Sequence, residues 1–187
     1  MISLEKKKSL NLSKAAPSLN NIKVGLSWDE VILNGKSPDA DASIFMLGNN
    51  GKLISDDYFV FYNNLISIDG SVHHLGDNRT GQGDGDDEII NVSLSKINSD
   101  VVQILVVITI HNMTDGFHFG NIKNSSVRIY NQSNDQIICE YKLTEDFNGC
   151  DSLIIGRLYR NSSEWEFEAM GHAISGGLNA TYQYYSN

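Results

Sequence analysis

Nine short runs rich in β-branched and aromatic residues, at 23–33, 43–47, 65–68, 89–94, 101–110, 127–130, 137–143, 153–159 and 165–169, follow one another at short intervals. Turn chemistry separates most of them: Asn34-Gly35, Asn49-Asn50-Gly51, Asp69-Gly70, Asp115-Gly116, Asn148-Gly149 and Asn161-Ser162-Ser163 are sequences that take positive φ or form Asx turns. The pattern predicts an all-β fold, a β-sandwich of two antiparallel sheets with a few short helices, the helical turns falling near residues 56–61 and 94–97. The run 101–110 is almost continuously apolar, as in a central strand covered on both sides. Alternation in Trp165-Glu166-Phe167-Glu168 predicts a half-buried strand with its aromatics on one face. At 187 residues the chain suits one domain with a full core. Residues 1–20 are expected as a flexible N-terminal segment and 21–187 as the domain, with Thr181-Tyr182-Gln183-Tyr184-Tyr185 as an edge strand or tail.

Charge narrows the function. The net charge of −9 and sequence pI near 4.9 lack the basic footprint of a nucleic-acid binder, and no nucleic-acid partner is expected. The only basic cluster is Lys6-Lys7-Lys8. No unbroken apolar stretch follows it, so the start does not read as a secretory signal and a cytoplasmic location is expected. The longest apolar run is strand-sized, too short for a membrane span. Cys139 and Cys150 form no metal or redox spacing and read as small buried or half-buried side chains. His73 and His74 are adjacent on an expected strand and so face opposite ways, which keeps them out of one zinc site. His111, His118 and His172 lie far apart without cysteine partners, and no Gly-x-Ser-x-Gly elbow is present; the expectation is a protein that is not an enzyme. Trp28 and Trp165 read as core aromatics.

The chemistry concentrates in Gly76-Asp77-Asn78-Arg79-Thr80-Gly81-Gln82-Gly83-Asp84-Gly85-Asp86-Asp87-Glu88. Five carboxylates and four glycines stand there without an aliphatic side chain, and the segment carries a net charge of −4. Carboxylates are the hard oxygen ligands calcium prefers, and glycines let peptide carbonyls turn toward an ion. The segment is not an EF-hand, because Arg79 and Gly81 stand where that loop needs oxygen side chains. It is not a phosphate loop either, since its aspartates would repel the anion and no Gly-Lys-Ser/Thr follows. A calcium site is the reading this density of charge favours; the alternative is a solvated acidic turn. A second acidic element, Pro38-Asp39-Ala40-Asp41-Ala42-Ser43, places two carboxylates on one face of a strand entry, where they either reach an ion held by the first loop or simply form a turn.

Taken in order, Ser27-Trp28-Asp29, Asp39-Ala40-Asp41-Ala42-Ser43, Asp57-Tyr58-Phe59-Val60-Phe61-Tyr62-Asn63, Ser67-Ile68-Asp69-Gly70-Ser71-Val72, the acidic glycine segment, and Gly156-Arg157-Leu158-Tyr159-Arg160 with Glu164-Trp165 resemble the TerD family of tellurium-resistance and general-stress proteins. The resemblance covers residues 22–171. Ser27 stands where that family usually has glycine, and Ala40 where it usually has leucine; neither departure removes a carboxylate.

The resemblance implies a cytoplasmic calcium-binding β-sandwich, a TerD-like domain associated with resistance to tellurite and chemical damage, with no known catalytic reaction. It also implies work as a calcium-dependent scaffold or sensor beside other tellurium-resistance or stress proteins in a membrane-associated complex. The runner-up is a calcium-dependent binder of anionic lipid or carbohydrate, C2-like or lectin-like. Carried over residue by residue, the implied ligands are Asp39, Asp41, Asp77, Asn78, Asp86, Asp87 and Glu88, with Thr80, Gly81 and Gly83 offering backbone carbonyls. That is more than one calcium takes from carboxylates, so two ions are expected. Asp29 and Asp69 are further oxygen donors, although Asp69-Gly70 is more economically a turn, and Arg79 is read as tethering a carboxylate or offsetting charge.

Overall fold

The computed structural model describes residues 1–30, 32, 35–36, 38–76, 85–111, 116–145 and 147–186. Their strands form two six-stranded sheets. The first runs in the order β1 (Ile2–Leu4), β10 (Gln136–Lys142), β9 (Ile122–Asn131), β3 (Asn21–Glu30), β7 (Glu88–Ser93), β6 (Val72–His74). The second runs β2 (Ser9–Asn11), β12 (Glu164–Ile174), β11 (Ser152–Asn161), β8 (Gln103–Ile110), β4 (Ala40–Leu47), β5 (Phe59–Val60). Neighbours are antiparallel throughout, except that β1 pairs parallel with β10.

The period-2 alternation of side chains builds the core. In β7, Glu88, Ile90 and Val92 are buried and the residues between them half-buried. Opposite them in β3 stand Leu26, Val24 and Ile22, all fully buried. The expected central strand is β8, where every residue from Ile104 to Ile110 is buried. One of its faces meets the other sheet. The opposite face carries Thr109, which pairs with Ser152, and Ser152 hydrogen-bonds Thr181 of the helix α2 (Gly177–Tyr185). Trp28 and Trp165 are both buried in the core.

Residues 1–20, set apart in sequence as a flexible segment, supply an edge strand to each sheet in the structure, and Leu12 of the short helix α1 (Leu12–Ala15) is fully buried. The C-terminal tyrosines are not an edge strand: they lie in α2. Asp151 accepts hydrogen bonds from the Gly176 and Gly177 N–H groups at that helix's start. Tyr182 and Tyr185 contact the Phe59 and Phe45 rings, so docking on the second sheet overrides the strand preference of aromatic residues. Residues 65–68 make only a single bridge, Ile66 with His73; the strand expected there is displaced to β6. Asp56–Tyr58 forms the expected helical turn as a 3-10 helix, whereas residues 94–97 form a plain turn.

A bulge between Ile154 and Gly156 interrupts β11 against both neighbours. There the Phe167 ring lies over Gly156, and a Cβ at that glycine would stand 2.5 Å from the ring's Cζ. A glycine inside a strand commonly marks such a close approach. Gly156→Ala is expected to lower unfolding free energy by about 1–3 kcal/mol through overpacking, read from denaturant melts.

Candidate functional site

Strand register brings the acidic elements to one end of the sandwich. Ala40 begins β4 opposite Ile110, which ends β8; Glu88 begins β7 opposite Leu26, near the end of β3. The His111 N–H donates to the Asp39 carbonyl, tying the β8 exit to the β4 entry. Gly76 follows β6 and Gly85 precedes β7 at this same end. Among the implied ligands, Asp77, Asn78, Thr80, Gly81 and Gly83 lie outside the described residues; Asp39, Asp41, Asp86, Asp87 and Glu88 are described.

The three consecutive acids 86–88 go three ways. The Asp86 carboxylate lies on the outer face of the first sheet, where Oδ1 meets Arg128 Nη1 at 2.6 Å. Asp87 turns to β3: its N–H donates to the Leu26 carbonyl and its Oδ2 accepts the Trp28 N–H at 2.8 Å. That bond falls at the register shift between Ser27 and Asp29 in the β3·β9 pairing. Glu88 points into the core, 1% exposed, and its Oε2 accepts the Ala42 N–H at 2.8 Å.

The Glu88 contact joins the two sheets. His74, also 1% exposed, places Nε2 3.3 Å from both Glu88 Oε2 and the Ala42 carbonyl, while its Nδ1 accepts the Gly76 N–H. Burial opposes a charge on this imidazole, but the hydrogen bond and charge of Glu88 outweigh it and raise His74 above its ordinary range. β5 covers only Ile44 and Phe45 of β4. Glu88 and His74 therefore do for the Ala42 backbone what a neighbouring strand would do, satisfying N–H and C=O together.

Asp41 is 6% exposed, with Oδ2 3.6 Å from His111 Nδ1. It pairs with Thr109 and shares the face on which α2 packs. Strand parity separates Asp41 from Glu88, the Gly25 seat and Arg128 hold Asp86 on the outer face of the first sheet, and among the described residues no group of three or more His, Cys, Asp or Glu side chains is placed to hold a metal ion. Asp29 accepts from the Asn124 side chain. Asp69 is the turn residue its sequence suggests, accepting from Ser67, Ser71 and the Asn98 N–H. Burial opposes its ionisation, but these bonds prevail and hold its carboxyl below the usual range. His73 and His74 do face opposite ways, one exposed and one buried.

Sequence reasoning missed Arg128, Glu140 and Gly25. These surround Asp86 beside a polar cleft of about 480 Å³ whose lining includes Ser27, Asp29, Asp87, Asn124, Arg128 and Lys142. Gly25 inside a strand run was the available signal. Removing Glu88 would leave the Ala42 N–H buried without its acceptor and His74 without its carboxylate partner, so Glu88→Ala is expected to cost about 3–5 kcal/mol of stability in chelator, measured by denaturant unfolding.

The TerD domain model matches residues 1–185. The tellurium resistance protein TerD of Serratia marcescens is 46% identical over 178 residues, covering 95% of this chain and 93% of that protein. General stress protein 16U of Bacillus subtilis (strain 168) is 42% identical over 179 residues, with 95% and 93% covered. The crystal structure of a TerD homologue from Streptomyces coelicolor A3(2) superposes with a TM-score of 0.68 at 21% identity, covering 88% of this chain and 96% of that one, which supports the fold. The chain belongs to the TerD family of tellurium-resistance and stress-response proteins.

Proposed function

We propose that this chain is a calcium-binding, non-enzymatic stress-response module, acting in tellurite and chemical-damage resistance as a calcium-dependent scaffold or sensor. The observation that carries the reading is that the acidic glycine-rich segment leaves and re-enters the sandwich at the end where Asp39 and Asp41 flank Ala40, the first residue of β4. The donors fit a hard cation in their chemistry. They are carboxylate, amide and carbonyl oxygens with no thiolate among them, and Asp41 stands at the strand entry with 6% of its surface exposed. Asp39, Asp41, Asp87 and Glu88, which do not share one face, would hold calcium together with Asp77, Asn78, Thr80, Gly81 and Gly83. This set exceeds the roughly six to eight oxygens one calcium takes, which favours two ions. Bound calcium supplies positive charge that relieves carboxylate repulsion and draws the strand entry and the loop together.

The cytoplasm is the proposed location, in keeping with two free cysteines, Cys139 and Cys150. Among the described residues no helix is long and apolar enough to cross a membrane. Other tellurium-resistance or stress proteins are the proposed partners, by analogy with the relatives' names.

A calcium-dependent anionic-lipid reading has one observation in its favour. Leu65, Ile66, Ile68 and Leu75 are exposed beside β6, and Leu75 is followed directly by the acidic segment. Aliphatic side chains next to an ion loop suit a lipid surface. Retention on phosphatidylserine vesicles that requires calcium and is lost in Leu75→Asp would support it; no retention at saturating calcium would exclude it.

For the main reading, calcium at about a hundred times its dissociation constant should stabilise the protein by about 2.7 kcal/mol. Asp39→Asn/Asp41→Asn should remove most of that gain while leaving the chelator-state melt near that of the parent. A full calcium shift in the double variant would overturn the ligand assignment.

A further inference from the structure

The side chain of Asp86 is only 5% exposed, although it lies in the most acidic stretch of the chain. It is seated on Gly25, and a Cβ at that position would fall inside the Asp86 carboxyl group. Gly25 stands opposite Arg128, and Arg128 opposite Glu140, so one rung crosses β3, β9 and β10 on the outer face of the first sheet. The guanidinium bridges the rung, with Nη1 2.6 Å from Asp86 Oδ1 and Nε 2.9 Å from Glu140 Oε1. Its planar fork meets two carboxylates at once, which a lysine ammonium does less well.

We propose that Arg128 is a positioning residue for the cation loop: it holds Asp86 on the Gly25 seat as an anchor and so withdraws that carboxylate from the ion's ligand set. This rests on the calcium reading above. The next residue, Asp87, is fixed by its two hydrogen bonds to β3, and Glu88 by its bond to Ala42. Arg128 thereby sets where the loop rejoins the sheet. For Asp86 to turn to an ion, it would have to leave a partly buried guanidinium short of one of its two counter-charges, which costs more than a surface pair would.

The test pairs calcium titration calorimetry with melting in chelator on the variants Asp86→Asn, Arg128→Met, Arg128→Lys, Gly25→Ala and Asp86→Asn/Arg128→Met. The amide side chain introduced by Asp86→Asn still offers an oxygen to Arg128. That variant is therefore expected to keep the parent ion count and an affinity within about threefold of the parent, while Arg128→Met and Gly25→Ala weaken calcium about tenfold or more, as loss of a ligand-orienting partner does. Arg128→Lys should recover part of that loss. In chelator, the double variant should melt no lower than the worse single variant, the signature of a direct pair.

Loss of an ion, or a fall of about a hundredfold in Asp86→Asn with Arg128→Met unchanged or tighter, would make Asp86 a ligand and overturn the proposal. If Arg128→Met does not fold, Gly25→Ala and Asp86→Asn decide by the same criteria. If the parent chain binds no calcium, the calcium reading falls and the anchor is judged in chelator alone: additive losses in the double variant overturn it, and non-additive ones uphold it.

Discussion

The bond from the Ala42 N–H to Glu88 is the constraint on which this end of the molecule depends. A sandwich has two sheets but no backbone hydrogen bonds between them, and β4 is left uncovered at Ala42 because β5 pairs only with Ile44 and Phe45. A buried peptide group without a partner is costly. Glu88 and His74 come from the first sheet, and they complete the edge of the second. That contact fixes the first residue of β7, and with it the point at which the acidic segment must end.

The local physics of this closure also explains why three adjacent acids do different work. Strand parity turns Glu88 inward with Leu26, the register shift near Trp28 offers Asp87 a backbone donor, and the absence of a side chain at Gly25 opens a seat for Asp86. The result is a segment whose C-terminal foot is tied to both sheets while its charge remains concentrated. Such an arrangement allows a cation to act on the loop without having to organise the point where the loop joins the fold.

Much of the fold was legible because it rests on local pattern. The inward alternation of Trp165 and Phe167, the apolar run of β8, the opposite facing of His73 and His74, and the Asp69 turn all follow from period-2 geometry and side-chain chemistry. What was hidden is non-local. The aromatic C-terminus is a helix because Asp151, some 25 residues earlier, accepts hydrogen bonds from the N–H groups at its start, and the Phe45 and Phe59 rings give its tyrosines a surface. The first residues join the two sheets through partners near the other end of the chain. Of the candidate site, the acidic stretch itself was evident in composition, but the three directions taken by 86–88 depend on register and on the Gly25 seat. Arg128, the partner of Asp86, and Glu140, which shares its guanidinium, come from strands whose sequences carry no acidic-loop signal.

The most direct test of a cation centre at this end is isothermal titration of the chelator-treated protein with calcium, with magnesium titrated in parallel. The account predicts tight binding, selective for calcium, at about two ions per chain. Heat no different from dilution, or equal response to both metals, would contradict it and leave residues 76–88 as a solvated acidic turn anchored to a TerD sandwich.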